Sequence, residues 1–222
     1  MSQYILRDKI QLEAKALAIG GIRLEILCVK NIEPLIAEME KHGENQISSF
    51  PFWVKIWEAA IVLTDRLLEI APDKDKNILE INAGMGITAL FLAAAGYRVT
   101  AADSNPDALA LLEKNASHNR INNLKIKHVY PDNPGTDKTW DIICGSELIG
   151  SKSMVKPVTD MLKNGLKPDA IAYLAHDISR MSMMEFLIEA EKTFDFSQKG
   201  MSFTGGGEKK KIIIHSLRRK KK

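Results

Sequence analysis

The chain opens on a strand-like alternation of apolar and polar positions. Leu17 and Ile19, then Ile22, Leu24, Ile26 and Cys28, alternate with polar or small residues, and Gly20-Gly21 sits between the two sets. That pattern predicts an antiparallel hairpin over 15–29 with a two-residue turn. A short helix should come next, capped by Asn31, with Ile32, Leu35, Ile36 and Met39 at helical spacing and a stop at His42-Gly43. These elements form an expected N-terminal cap, residues 1–49, packed on the rest of the chain. From Val54 to Ile70 the spacing is helical, with Ile56, Ala59, Ala60, Leu63 and Leu67 on one side. Trp57, Ile61 and Leu68 widen that apolar face.

From Asn77 onward, short apolar runs alternate with helical stretches. Ile78, Leu79 and Ile81 predict a strand that ends in the turn Asn82-Ala83-Gly84-Met85-Gly86. An apolar helix runs to Ala95 and is stopped by Gly96. A second strand, Arg98–Ala102, closes on Asp103. Ser104 or Asn105 can cap the next helix, with Pro106 in its first turn and Ala108, Leu109, Leu111 and Leu112 on its apolar face. It should end near His118-Asn119. Leu124, Ile126 and Val129 mark a third strand, and the Pro- and Asp-rich stretch Tyr130–Thr139 marks a loop. Trp140–Cys144 is a fourth strand, ending at Gly145-Ser146-Glu147. A helix over 153–162 stops at Gly165, and Ala170–Ala175 is a fifth strand. The helix expected over Met181–Lys192 turns Met184, Leu187 and Ile188 inward. Phe194–Phe203 and Lys211–Leu217 form a final hairpin around Gly205-Gly206-Gly207. Such alternation predicts an α/β fold with a seven-stranded, mostly parallel sheet covered on both faces, ending in an antiparallel C-terminal hairpin. Its ligand belongs at the carboxyl ends of the central strands.

Composition changes this picture little. At 222 residues the chain suits one sizeable α/β domain with an appendage. Its net charge of +3 is too small to argue for nucleic acid, and much of the excess lies in Arg218-Arg219-Lys220-Lys221-Lys222. That run, residues 218–222, is either a solvated frayed tail or an electrostatic arm for an acidic partner. No apolar run is long enough to span a bilayer and no signal-peptide pattern opens the chain, so no membrane partner and a cytoplasmic location are expected. Cys28 and Cys144 lie in strand-like runs and read as buried free thiols. The histidines show no metal-ligand spacing.

The stretch Asn77–Asp103 reads strand, glycine turn, helix, strand, acid, which is half of a nucleotide-binding unit. Four segments then resemble the class I S-adenosylmethionine-dependent methyltransferases, and within them the seven-strand protein-lysine methyltransferases of the methyltransferase-like 20 and 21 group. Phe50-Pro51-Phe52-Trp53-Val54-Lys55-Ile56-Trp57-Glu58-Ala59-Ala60 resembles that group's proline/aromatic segment leading into W-P-A-A. Leu79–Gly86 resembles L-E-L-G-A-G-T-G. Val99–Asp103, followed by Asn105-Pro106-Asp107-Ala108-Leu109 and Lys114-Asn115, resembles its acid and following helix. Asp141–Leu148 resembles D-x-I-L-G-A-D-V. The resemblance spans residues 50–217 and implies a Rossmann-like fold for them.

The resemblance implies S-adenosylmethionine as cofactor and a protein side chain, lysine favoured, as methyl acceptor. A small-molecule methyltransferase or a non-catalytic scaffold of the same fold are the alternatives. It places Asn82, Ala83, Gly84 and Gly86 around the methionine end of the cofactor, with Glu80 supporting the turn. It places Asp103 on the ribose hydroxyls, Ser104 and Asn105 beside the adenine, and Tyr130 and Asp132 near its ring. Trp57 and Ser146 complete the cofactor set, though Trp57 also suits a core position. Glu147 stands where the acceptor lies, as the acid that holds an ammonium and helps deprotonate it. Alternatively it is a charge at a helix N-terminus. Phe50, Phe52 and Trp53 either wall an acceptor channel or anchor the cap, and His176 and Asp177 border the same edge. Two departures stand out: Asn82 replaces the first motif glycine, and Glu147-Leu148-Ile149-Gly150 replaces D-V-x-Y.

Overall fold

The computed structural model describes residues 10–41, 50–70, 72–129, 139–205 and 208–221. Strands β1 (Leu12–Ile19) and β2 (Ile22–Val29) form the expected hairpin. Gly20 and Gly21 both take positive φ, as a tight two-residue turn requires. Helix α1 (Glu33–Lys41) is next, and the Asn31 side chain accepts the Glu33 N–H at 3.0 Å. The expected stop at His42-Gly43 lies outside the described residues.

The main sheet has the order β5-β4-β3-β6-β7-β9-β8. Strands β3 (Asn77–Ile81), β4 (Arg98–Asp103), β5 (Leu124–His128), β6 (Trp140–Ser146) and β7 (Leu166–Asp177) run parallel. Strand β9 (Glu208–Arg219) lies antiparallel between β7 and β8 (Phe194–Gly205), so the last strand is internal and β8 is the edge. The Gly206-Gly207 part of their turn is outside the described residues. The chain moves outward from β3 to β5 and then crosses back to β6. The carboxyl ends of β3 and β6 therefore flank the switch point where α/β sheets hold ligands.

Helices α2 (Glu58–Ile70), α3 (Ile87–Ala94) and α4 (Pro106–His118) join the hairpin in one core, which holds Ile26, Leu63, Leu67, Phe91 and Leu111. Helices α5 (Val155–Gly165) and α6 (Ser182–Ala190) close a second core with Ile149, Leu162, Phe186 and Phe194. Both cysteines are buried and free. Helix α4 starts as expected: Asn105 accepts from the Asp107 and Ala108 amides, and Pro106 opens the helix.

Four expectations are corrected. Helix α2 begins at Glu58 rather than Val54, because Phe52–Val54 forms a 3-10 turn and the Trp57 indole N–H donates to the Phe52 carbonyl at 3.0 Å. Strand β7 starts four residues early; its register jumps between the Trp140–Leu166 and Ile142–Ile171 pairs, a break that accommodates Pro168, which has no N–H to give. Helix α6 is rotated from the expected face: Leu187 packs partly buried on the core as expected, but Met184 and Ile188 do not. Met184 and Ile188 are 58% and 64% exposed, while Met183, Phe186 and Ala190 are buried. Phe186 packs in the same core as Phe194, and burying an aromatic contributes roughly 2–3 kcal/mol, so that stripe takes the inside. Lastly, Arg218 and Arg219 continue β9 instead of fraying. Arg219 donates to the Lys163 and Leu166 carbonyls.

The hairpin is attached to the main domain by side chains that imitate a strand. Asn115 accepts the Leu27 N–H at 2.7 Å and donates to the Leu27 carbonyl at 3.2 Å. One turn later, Asn119 makes the same pair of bonds to Glu25, each at 2.9 Å. Residues i and i+4 on a helix thus meet residues i and i+2 on a strand, and the free edge of β2 is satisfied. Asn115 is fully buried, so its loss leaves two backbone groups of Leu27 without partners. Each such orphan costs ~1–3 kcal/mol. Asn115→Leu should lower stability by roughly 2–5 kcal/mol and speed hydrogen exchange at the Leu27 amide. Unchanged protection of that amide would show that the two asparagines do not hold the hairpin.

Candidate active site

The glycine turn between β3 and α3 is built at the carboxyl edge of the sheet. Asn82, Gly84 and Gly86 all have positive φ, of 56°, 55° and 85°. Asn is the non-glycine residue best suited to that region, which explains how position 82 keeps the turn without a glycine. A Cβ on Gly86 would lie 2.0 Å from Leu112 Cδ1, so that glycine lets the turn close on α4. Around Gly84 there is room: the nearest atoms to an added Cβ are the Trp53 backbone and Cβ, at 3.6–3.8 Å. The aromatic segment therefore lies directly over the turn.

Asp103, 6% exposed, ends β4. Its Oδ2 accepts the Gly84 N–H and its Oδ1 the Asn105 N–H, both at 2.8 Å. Burial raises its pKa, against the pull of those amides. Each carboxylate oxygen keeps lone-pair capacity for a hydroxyl donor. Ser104 is exposed beside it, and its carbonyl meets His128 Nε2 at 2.9 Å. Tyr130 and Asp132 lie outside the described residues. Glu80 points into the first turn of α3, where it accepts the Ala89 N–H at 2.8 Å. Burial pushes its pKa up to about 8. Glu80 thus holds α3 to β3 from beneath, while Asn82 is exposed and Ala83 is buried.

Trp57 is half-buried against the core, with the Lys55 ammonium 4.4 Å from its ring centroid. Phe50 and Phe52 are exposed, their rings 4.9 Å apart. Glu58 pairs with Lys210 at 2.7 Å, linking α2 to the start of β9.

At the end of β6, Ser146 is buried and Glu147 has φ of 51°. The Glu147 side chain is 7% exposed. Its Oε1 accepts the Asp177 N–H at 2.8 Å, and its Oε2 is ion-paired with Arg180 Nε. It lies well ahead of α5, so it is not the helix-terminal charge that its sequence position allowed. His176, just before Asp177, is buried together with His215 of β9. The Asp177 carbonyl can only accept, so His176 donates to it from Nδ1 at 2.8 Å. His215 Nε2 then donates to His176 Nε2 at 3.0 Å. Burial lowers both pKa values, that of His215 to about 4. Sequence reasoning placed Glu147, His176 and Asp177 at one edge but missed Arg180 and His215. Nothing local marks either; both arrive through long-range pairing.

A separate concavity of about 510 Å³ opens at the opposite, amino ends of β3, β6 and β7. Its charged rim is already internally paired, with Lys167 donating to Asp141 at 2.8 Å.

A family model described as lysine methyltransferase matches residues 40–193. The chain belongs to this lysine methyltransferase family. Solved structures agree on the fold. A TehB-like S-adenosylmethionine-dependent methyltransferase from Corynebacterium glutamicum is 15% identical and covers 83% of this chain and 100% of its own, with a TM-score of 0.58. The glycopeptide N-methyltransferase MtfA complexed with sinefungin is 12% identical over 73% of this chain and 94% of its own, TM-score 0.60. A putative RNA methyltransferase from Pyrococcus horikoshii is 15% identical over 75% and 88%, TM-score 0.56. No curated protein matches in sequence. Family and fold make the chain an S-adenosylmethionine-dependent methyltransferase, and the left-handed glycine turn with its Asp103 clasp fits that cofactor. Among the described residues, no helix is long and apolar enough to cross a membrane.

Glu80 and His215 give opposite pH dependences. The fold favours protonated Glu80, so its contribution declines as pH rises from the ordinary carboxyl value of 4.5 to about 8. The fold favours neutral His215, so its contribution grows as pH rises from about 4 to 6.5. The two offset each other between 4.5 and 6.5, and above that only the Glu80 decline remains. Glu80→Gln mimics the protonated acid. Its stability relative to the parent should therefore climb from pH 4.5 to 8, with a slope approaching ~1.4 kcal/mol per unit. Denaturant titrations across that range check this, and a pH-independent difference would contradict the assignment.

Proposed function

We propose that this methyltransferase acts on a protein lysine side chain, in the manner of the methyltransferase-like 20 and 21 group. The observation that carries the reading is the seating of the Phe50–Trp57 aromatic segment on the glycine turn. That contact sets the Trp53 backbone and Cβ over Gly84 and so brings to the turn a segment rich in aromatic residues, whose ring faces attract alkyl-ammonium groups. The matching family is described as lysine methyltransferase, which supports the same acceptor.

In this reading Asp103 holds the ribose hydroxyls. Asn82, Ala83, Gly84 and Gly86 receive the methionine end, with Ser104, Tyr130, Ser146 and Trp57 around the remainder. Glu80 keeps the turn and α3 in register. S-adenosylmethionine, when bound, supplies a methyl group on a sulfonium centre. The protein must present a neutral amine in line with that group, exclude water and stabilise passing positive charge. Glu147 is the carboxylate that receives the acceptor's charge and takes its proton. Free buried thiols at Cys28 and Cys144 agree with residence in a reducing, cytoplasmic compartment.

Incubation of the protein with methyl-labelled cofactor and a lysate, then acid hydrolysis, should give labelled methyllysine. Label confined to low-molecular-weight material would instead identify a small-molecule acceptor. Calorimetry addresses the cofactor site independently. Asp103→Ala should weaken S-adenosylmethionine binding by about tenfold or more, since a charged hydrogen-bond acceptor is worth ~1.5–3 kcal/mol. Unchanged affinity would remove Asp103 from the site.

A further inference from the structure

The Glu147–Arg180 pair goes beyond the lysine reading, although its interpretation rests on that reading. Glu147 stands on the last turn out of β6 in a backbone conformation that glutamate rarely adopts. Strain of this kind persists where the surroundings enforce it, and it gathers at functional sites. The enforcement is visible: the Glu147 N–H donates to the Ala175 carbonyl at 2.9 Å, and its carboxylate is fixed by the Asp177 amide and Arg180. A carboxylate this buried requires a partner cation. Among the described residues, Arg180 is the basic side chain at ion-pair distance from it.

Arg180 is less enclosed than Glu147: its Nε is buried, but part of its side chain reaches solvent. It lies in the short link Ile178–Met181 between β7 and α6, and its side chain is 27% exposed. Ile178 and Met181, on either side, are both more than half exposed. Turning the guanidinium outward needs only side-chain rotation and leaves the Arg180 N–H to Asp177 carbonyl and Met183 N–H to Arg180 carbonyl bonds of the link in place.

We propose that Arg180 is a specificity-determining plug: its guanidinium occupies the position that an acceptor lysine ammonium takes, and it withdraws when that ammonium arrives. The exchange replaces one cation by another, so Glu147 is never left buried and unpaired. A neutral or anionic acceptor offers no charge to replace the guanidinium and cannot open the site. Once the guanidinium has left, the Glu147 carboxylate can accept the ammonium's proton, leaving the amine lone pair free. The competing explanation is a fixed ion pair that only ties the link to β6.

The two explanations separate in Arg180→Ala, probed with n-butylammonium chloride as the end of a lysine side chain. A plug predicts that millimolar n-butylammonium raises the melting temperature of Arg180→Ala by several degrees above a matched sodium chloride control. The parent protein should need about tenfold more n-butylammonium for the same rise, because the guanidinium competes, and Glu147→Gln/Arg180→Ala should lose the response. With the acceptor found by labelling, Arg180→Ala should lower KM by about tenfold at similar kcat, because the plug no longer competes. Arg180→Met serves the same comparisons if the alanine variant folds poorly. An identical response of parent and variant to n-butylammonium, or a raised KM in the variant, would overturn the plug. If the parent labels no protein, the lysine reading fails by itself, and the melting experiment still decides whether Glu147 exchanges one cation for another.

Discussion

One residue, Asp103, ties the ends of three strands together through its carboxylate and its backbone carbonyl. Asp103 closes β4, clasps the Gly84 amide of the turn after β3, and offers its own carbonyl to the Val129 amide beyond β5 at 3.0 Å. A further bond, from the Ala83 N–H to the Ala102 carbonyl at 3.0 Å, doubles the link between the turn and β4. The glycine turn is therefore held from the side by a charged acceptor, and from beneath by Glu80. Neither acid is spare. Both are buried, and both would be costly to leave without their amide donors. The shape of the turn comes from these backbone bonds before any ligand is present.

The same edge carries two non-glycine residues in the left-handed region, Asn82 after β3 and Glu147 after β6. They follow the neighbouring strands β3 and β6, on either side of the switch point. The close approach of those strands is visible at Gly145, where a Cβ would come within 2.8 Å of the Ile81 carbonyl. Asn82 meets its conformational requirement cheaply and is exposed. Glu147 meets it while burying a charge, which needs an ion pair and an amide to be tolerated.

Most of the sheet was legible in the sequence because its signals are local. Gly20-Gly21, the Asn105-Pro106 cap and the Gly96 stop each declare an element boundary through backbone chemistry. The orientation of α6 was not legible, since Met184, Leu187 and Ile188 form as good an apolar stripe as Met183, Phe186 and Ala190. Only the position of Phe194 decides between them. Asn115 and Asn119 read as ordinary polar helix residues, and their service as a surrogate strand depends on a hairpin almost ninety residues away. In the site, the glycine turn, Asp103 and Glu147 could be found from motif order. Arg180 and His215 could not, because pairing partners contributed by distant strands and links leave no periodicity.

Charge at the carboxyl ends of β6 and β7 and beside them is largely paired. Arg180 balances Glu147, and Lys210 balances Glu58. Ser179 holds Asp177 below the usual carboxylate range through its hydroxyl and amide. The neighbouring histidine pair stays neutral because burial disfavours its charged form. In a low-dielectric edge of this kind an added cation is welcome only if it replaces one already there. Under the proposed exchange of Arg180 for an ammonium, that condition makes acceptor charge a criterion for admission, separate from shape. A fold shared with a glycopeptide N-methyltransferase and a putative RNA methyltransferase does not by itself fix the acceptor, which depends on the side chains at the site.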